Sequence, residues 1–356
     1  MTIKMNKNLN IETLRGFAIV LVVMGHVIGS ESDGGMKVAD NSFLRHLYYT
    51  FQYLRMPLFT VISGWAYALR PAEIDNAVQF MIKKARRILI PMIFAGGLYY
   101  IVQSIVPGTN NSNSLKDIWK IAIYPHTFYW YLHSLFIVFL VVAIIDSYKL
   151  MKNSLSLIIV TLVSILLLIY RDTIVPSEFP NYFGFKGAIY LLPFFVIGVG
   201  IQRFKAIFQN KNLNIIMTVA LLGSLILQQL VWFGVVDYQF SKAGGLGLII
   251  GLFGTIVLFK SKLNIKSMVW IGNYSYTIFL FHSFGTSGGR IILQKLGIQS
   301  TPLIFLFSLL LGLFSPIVVE NILDRFNFTR LLFLGRAIRK KSPSLKLINQ
   351  FSIKKS

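Results

Sequence analysis

The residues best placed to do chemistry lie in an apolar stretch near the start of the chain, residues 11–29, with the sequence IETLRGFAIVLVVMGHVIG. This stretch is long enough to cross a bilayer, yet it holds Arg15 near one end and His26 near the other. An ionisable side chain in hydrocarbon costs a few kcal/mol, so it usually has a function. Because histidine titrates near neutral pH and often transfers protons, the pattern favours chemistry or transport inside a membrane. The alternative is structural, with Arg15 snorkelling to the surface and His26 among lipid headgroups.

The composition is that of an integral membrane protein. Of the 356 residues, 55% are hydrophobic and 13% are charged, whereas soluble proteins carry roughly 25% charged residues. In a membrane protein, a net charge of +22 commonly comes from basic residues in the cytoplasmic loops. We therefore expect no nucleic-acid partner. The chain has no cysteine, which excludes disulfides, thiolate metal sites and a thiol nucleophile.

Apolar runs long enough to span a bilayer recur along the whole chain. All should be helices, because open sheet edges cannot lie in lipid. The predicted spans are 11–29, 47–69, 88–106, 128–145, 154–170, 185–202, 214–233, 243–259, 268–285 and 300–320. The sequence thus predicts an all-α integral membrane protein with about ten transmembrane helices.

The basic residues predict the orientation. With the N-terminus in the cytoplasm, inner segments hold 25 of the 35 Lys and Arg residues and outer loops hold nine. This split obeys the positive-inside rule and places both termini in the cytoplasm. Residues 1–325 would form the transmembrane domain, and residues 326–356 a basic cytoplasmic tail attracted to anionic lipid.

This topology sorts the polar residues of the spans into two layers by depth. The inner layer contains Arg15 and the basic run at 83–87, and it resembles an anion site, because arginine forks match phosphate oxygens. The outer layer resembles a catalytic or binding site, with histidines that could act as a general base and arginines that supply positive charge. Its members are His26, Arg55, His133, His282 and Arg290, with Tyr129 and Trp130.

Several other chemistries are not supported. The five histidines are scattered without metal-ligand spacing, so no metal site is expected. No P-loop is present.

Six motifs in order resemble the membrane-bound acyltransferase-3 family, bacterial enzymes that O-acylate cell-envelope glycans. They are IETLRGFAI with Gly25-His26, RMPLFTVISG at 55–64, KKARRILIP at 83–91, WYLHSL at 130–135, IGNYSYTIFLFH at 271–282 and VVENILDR at 318–325. The chain departs from the family pattern at Arg55, where histidine is frequent, and at Phe279, where tyrosine is usual.

The resemblance implies a multi-pass enzyme of the bacterial cytoplasmic membrane. Such an enzyme would move an acyl group, acetyl by default, from cytoplasmic acyl-CoA to a hydroxyl of an envelope polysaccharide or glycolipid. It would bind acyl-CoA as a co-substrate and hold no resident cofactor. It would act alone or with polysaccharide-synthesis partners.

The resemblance also implies roles for individual residues. Arg15, Lys84 and Arg87 would hold the CoA phosphates, and His26 would act as the general base or handle the acyl group. Arg55 or Asn273 would stabilise the oxyanion. The expected catalytic set is His26, Arg15, Arg55 and His282, and the expected substrate-binding set is Trp130, Tyr131, His133, Asn273 and Tyr276.

Two other functions stay open at this point. The first is a polysaccharide or glycolipid transporter without transferase chemistry, against which the absence of a visible inverted repeat counts weakly. The second is an assembly subunit of an envelope synthase complex, which the basic tail alone motivates.

Overall fold

A computed structural model describes residues 8–110, 114–239, 241 and 244–339 of the chain. Throughout these residues the regular elements are helices and no strand is present, which confirms the all-α prediction. The first eight helices are α1 Leu9–Ile28, α2 Phe43–Phe51, α3 Arg55–Ala68, α4 Ala77–Ile105, α5 Trp130–Ser147, α6 Ser154–Ile169, α7 Arg171–Ile174 and α8 Phe185–Arg203. The others are α9 Lys205–Gln209, α10 Lys211–Trp232, α11 Gly245–Lys260, α12 Lys266–Asn273, α13 Ser275–Lys295, α14 Thr301–Leu323 and α15 Asn327–Leu334. Short 3₁₀ turns lie at Ile74–Asn76, Leu115–Ala122, Thr127–Tyr129 and Tyr182–Gly184.

Six helical segments of the described chain are long and apolar enough to cross a membrane. They are Leu9–Ile28, Ile74–Ile105, Leu115–Ser147, Tyr182–Arg203, Lys211–Trp232 and Thr301–Leu323. Two shorter apolar helices, α6 and α11, accompany them. The total of ten spans and the cytoplasmic side of both termini stay predictions.

Two predicted spans are interrupted rather than continuous. The span at 47–69 is divided into α2 and α3 by residues 52–54. In a continuous helix, Pro57 could not donate a hydrogen bond to the carbonyl of Tyr53, and its ring would clash with that carbonyl. A new helix therefore starts just before the proline. The span at 268–285 is divided at Tyr274 into α12 and α13. Asn273 and Ser275 flank this break, and such side chains compete with the helix for backbone hydrogen bonds.

Glycines let two pairs of helices cross at backbone distance. A Cβ added at Gly16 of α1 would meet the carbonyl of Met268, and one at Gly272 would meet the carbonyl of Glu12. Gly64 of α3 and Gly198 of α8 form the second crossing in the same reciprocal way. Membrane helices commonly have small residues at such contacts, because these let the two backbones approach closely. The first crossing fixes α1 against the break between α12 and α13.

Helix α1 is the central element of the site. It packs against α3, α12, α13 and α14, and most of its side chains are buried. Asn8 caps its N-terminus by accepting a hydrogen bond from the backbone of Ile11. Its polar residues Glu12 and Thr13 are buried in the helix bundle.

Candidate active site

Arg15 and His26 leave the same face of α1. They are 11 residues apart, which is about three helical turns and about 16 Å of rise. Each lines a different cavity of the bundle. We name the first the basic cavity, which contains Arg15, and the second the histidine cavity, which contains His26.

The histidine cavity has a volume of about 310 Å³ and a polar lining. Hydroxyl and amide side chains dominate it, Arg290 adds a positive charge, and none of its lining residues is a carboxylate. The polar members are His26, Tyr99, Gln103, Thr109, Asn110, Thr127, Ser283, Thr286, Ser287 and Arg290. Arg290 is fixed by hydrogen bonds to the carbonyl of Gly108 (2.9 Å) and to Asn110 Oδ1 (3.0 Å). Such a lining is suited to a ligand rich in hydroxyl groups.

A pair of histidines stands at the wall of this cavity. The ring centroids of His26 and His282 are 5.0 Å apart. His26 is exposed to the cavity, whereas His282 is completely buried. His282 Nδ1 lies 2.9 Å and 3.1 Å from the carbonyl oxygens of Phe279 and Ile278. Because both partners are acceptors, Nδ1 carries the hydrogen, and a neutral His282 has its lone pair on Nε2.

The Nε2 atom of His282 is buried and has no hydrogen-bond partner within the described part of the chain. A buried acceptor without a partner is costly, so its persistence points to a role in proton handling. His26 can therefore contact a ligand in the cavity, and the imidazole of His282 lies beside it.

An aromatic wall separates the two cavities. Phe128 lines the histidine cavity, Phe279 lines the basic cavity, and their rings meet edge to face with centroids 5.8 Å apart. Phe128 also contacts both histidine rings, at 5.6 Å from His26 and 4.5 Å from His282. Tyr131 packs on Phe279 at 5.4 Å. The linings of the two cavities therefore meet at these rings.

Arg55 lies behind His26 rather than in a cavity lining. Its guanidinium is 4.3 Å from the centroid of the Tyr48 ring, and it donates a hydrogen bond of 2.6 Å to the Tyr48 hydroxyl. A Cβ added at Gly25 would collide with this guanidinium. Glycine next to His26 therefore lets a positive charge pack directly on α1.

The basic cavity has a volume of about 350 Å³ and contains four cationic side chains. These are Arg15, Lys84, Arg87 and Arg336. The break between α12 and α13 opens into it, since Asn273, Ser275, Tyr276 and Thr277 line its wall. The N-terminus of α13 thus adds the positive end of a helix dipole. The whole arrangement is typical of an anion site.

The predicted anion-binding residues are held in place by different contacts. Arg15 pairs with Glu12, one turn earlier on α1, at 2.9 Å. Lys84 Nζ lies 3.6 Å from the centroid of the Phe139 ring and 5.1 Å from that of Phe80. The backbone carbonyl of Arg87 accepts a hydrogen bond from the Tyr276 hydroxyl. The structure therefore brings Arg15, Lys84 and Arg87 together in one cavity.

The residues predicted to bind substrate do not share one location. Tyr131, Asn273 and Tyr276 line the basic cavity rather than the histidine cavity. Trp130 and His133 line neither cavity and pack against the glycine turn at Gly184 and the start of α8. His133 is buried, with Nε2 3.4 Å from the carbonyl of Ala122. The roles proposed for these five residues stay predictions.

Two charged residues of the basic cavity had no predicted role. Glu320 is buried at the end of α14, and Arg336 follows α15. Glu320 was visible in the sequence as a carboxylate at the end of an apolar run, whereas nothing local marks Arg336. The described residues contain no group of three or more His, Asp or Glu side chains suited to a metal ion.

The fold and the cavities define a polytopic helical membrane protein with two polar sites along one helix. The model of the acyltransferase-3 family, described as an acyltransferase domain, matches residues 8–320. The chain therefore belongs to the acyltransferase-3 family of membrane acyltransferases. Comparisons with curated proteins and with solved structures gave no match.

Proposed function

We propose that the protein transfers a short acyl group, acetyl by default, from acyl-CoA to a hydroxyl of a cell-envelope polysaccharide or glycolipid. Acyl-CoA would bind in the basic cavity and the glycan in the histidine cavity. The observation that carries the proposal is the placement of Arg15 and His26 on one face of α1, each in its own cavity. The protein would act in the bacterial cytoplasmic membrane, with the basic cavity toward the cytoplasm.

The donor half of the proposal rests on charge. CoA carries phosphates, and Arg15, Lys84 and Arg87 supply cations around one cavity. Arginine forks bind phosphate oxygens well, and the N-terminus of α13 adds oriented N–H groups. In membrane proteins, the N-termini of broken helices commonly face anionic groups of a substrate.

The acceptor half rests on the hydroxyl and amide groups that line the histidine cavity. Sugars present hydroxyl groups, and the serine, threonine and amide side chains there can donate and accept hydrogen bonds to them. Tyr99 and Phe128 add aromatic surface. Arg290 would orient an anionic group of the acceptor or the carbonyl of the acyl group.

The reaction we propose is direct transfer between the two substrates. A hydroxyl of the glycan gives its proton to His26 as its oxygen attacks the thioester carbonyl carbon. The C–O bond forms, the C–S bond breaks, and the thiolate of CoA takes the proton back from His26. The products are the glycan ester and free CoA.

The second histidine and the arginine would support this step. His282 would hold His26 in position and share the proton through Nε2, its free acceptor within the described residues. Arg55, packed on the backbone beside His26, would stabilise negative charge that develops on the carbonyl oxygen. The acyl arm would reach His26 by displacing Phe279 and Phe128.

A carrier for a glycolipid is the second candidate, because two cavities on either side of a closed wall also suit transport. Membership of an acyltransferase family favours transfer over transport.

The two functions differ in a simple experiment. Purified protein in nanodiscs is given acetyl-CoA with glycan acceptors, and released CoA thiol is measured. We expect acceptor-dependent thiol release from the wild type and none from His26→Ala. His46→Ala is the matched control, because His46 pairs with Gln229 and stacks on Trp232, away from both cavities. Thiol release that is equal in the wild type and His26→Ala would contradict the proposal.

A further inference from the structure

The chain beyond the last long helix returns to the basic cavity. The sequence predicted a basic tail from residue 326, and the structure describes its first part, up to residue 339; residues 340–356 lie outside the described residues. Here α15 packs against α4 and α14. The family match ends at residue 320, so this segment lies beyond the matched domain.

A tight turn fixes this segment to the basic run of α4. Gly335 has a positive φ of 61°, which favours glycine. A Cβ there would lie 2.7 Å from the carbonyl oxygen of Arg86 and 2.7 Å from the Cα of Arg87. Leu334, just before the turn, is buried and lines the basic cavity. The segment is therefore one wall of that cavity.

Two carboxylates hold the arginines of this segment. Asp324 accepts hydrogen bonds from Arg330, at 2.9 Å and 3.0 Å, from Arg336 at 2.8 Å, and from Arg339. Glu320 accepts from Arg336 and from the hydroxyl of Thr277, the third residue of α13. Arg336 is the arginine of this group that lines the basic cavity.

The pairing of Glu320 with Arg336 explains how a carboxylate can lie in a cavity suited to anions. Glu320 lines the basic cavity and is only 6% exposed, so its charge would repel a phosphate unless it were neutralised. Arg336 neutralises it through one side of its guanidinium. Its hydrogen bonds to Asp324 and Glu320 use one hydrogen on each terminal nitrogen, and the guanidinium has further N–H donors that can face a ligand.

We propose that Arg336 is a further phosphate-binding residue of the donor site, positioned by Glu320 and Asp324. Leu334 and Arg336 are then part of the acyl-CoA site rather than of a free tail. This inference rests on the proposed function, because it assumes that the basic cavity takes the phosphates of CoA. An Arg336 that only neutralised Glu320 would have no effect on CoA affinity once Glu320 is replaced by glutamine, whereas a phosphate-binding Arg336 would still have one in that background.

The test compares Arg336→Gln with Arg339→Gln in the full-length protein in nanodiscs. Both changes remove a hydrogen bond to Asp324, and only the first removes a cation from the cavity and the arginine partner of Glu320. CoA binding is measured by titration, and transfer by KM and kcat with acetyl-CoA. We expect Arg336→Gln to weaken CoA binding and raise KM by about tenfold, as loss of a charged hydrogen bond does. Its kcat at saturating donor should stay within about twofold, and Arg339→Gln should match the wild type.

The outcomes separate this inference from the proposed function. Wild-type affinity for CoA in Arg336→Gln would overturn the role of Arg336 while leaving the proposed function intact. A wild type that does not bind CoA would overturn both. If Arg336→Gln does not fold, Arg336→Lys is tested instead, because lysine keeps the positive charge but lacks the planar guanidinium that can bind phosphate with two hydrogen bonds. CoA affinity at least about threefold weaker in Arg336→Lys would then support the proposal, and unchanged affinity would overturn it.

Discussion

The imidazole rings of His26 and His282 lie with their centroids 5.0 Å apart, although they come from opposite ends of the chain. Helix α1 presents His26 to the histidine cavity, and α13 places His282 behind it, completely buried. The Nδ1 atom of His282 is bound to carbonyls of its own helix. The geometry therefore favours His26 as the group that meets the acceptor and His282 as its positioning partner.

Replacing His282 by glutamine should lower kcat and leave the KM for acyl-CoA unchanged, because the basic cavity does not contain it. We expect a loss of about 10²-fold or more, the usual range for one member of a proton-transfer pair. The double variant with His26→Ala should be little worse than His26→Ala alone, since residues acting as a unit are not additive. Kinetics of the two single variants and the double variant check this. Additive losses would show that the histidines act independently.

Gly25→Ala should disturb the site through Arg55. The added methyl group would collide with the guanidinium, and overpacking of this kind costs about 1–3 kcal/mol. We expect a lower Tm and a large loss of transfer activity. Gly97→Ala is the control, because among the described residues a Cβ at that position would meet no atom within 4 Å beyond the neighbouring backbone of its own helix. Normal activity in Gly25→Ala would mean that the position of Arg55 is unimportant.

Phe279→Ala should widen the range of acyl groups that the enzyme transfers. The ring closes the basic cavity against Phe128, so its removal leaves room for a longer chain. One methylene in an apolar pocket changes selectivity by about 10-fold or more. We expect the ratio of kcat/KM for butyryl-CoA over acetyl-CoA to rise by at least that factor.

Phe281→Ala controls for the loss of a buried ring on the same helix. Phe281 is equally buried but packs on Phe284 and Phe333 and lines neither cavity. Its acyl-chain preference should therefore be that of the wild type. The same preference in all three proteins would exclude Phe279 as the determinant of acyl length.

Asp324 should make the C-terminal wall of the basic cavity sensitive to acid. Burial alone would raise the pKa of its carboxyl group. The hydrogen bond and charge of Arg336, with the charges of Arg330 and Arg339, outweigh burial and bring this pKa below its ordinary value. A carboxyl group whose pKa is depressed by folding stabilises the protein above its unfolded pKa, about 3.9, and loses that effect as the pH falls. The Tm of the wild type should therefore fall more than that of Asp324→Asn between pH 5 and pH 3. Parallel falls would show that the arginine cluster does not stabilise the fold.

Hydropathy and basic-residue counting predicted the helical segments and sorted the polar residues by depth. Arg15, Lys84 and Arg87 do share a cavity, and His26 does lie beside His282. Depth is only one coordinate, however, and the direction in which a side chain leaves its helix depends on packing. Trp130 and His133 had the expected sequence context but face α8 and its preceding turn instead.

Other features depended on contacts between distant parts of the chain. The break at Tyr274 turns Asn273 and Tyr276 toward the basic cavity. Arg336 reaches that cavity only because α15 folds back on α4 and Gly335 permits the turn. No local pattern in the sequence predicts such a return.

The most direct test of the account is a comparison of envelope glycans from cells with the wild type, with His26→Ala and without the protein, by mass spectrometry before and after mild base. We predict that wild-type cells carry a base-labile acyl mass on one glycan, and that His26→Ala at equal expression lacks it as completely as the deletion does. Identical acyl groups in all three glycans, with a change only in their amount or location, would contradict transfer by this chain and favour transport.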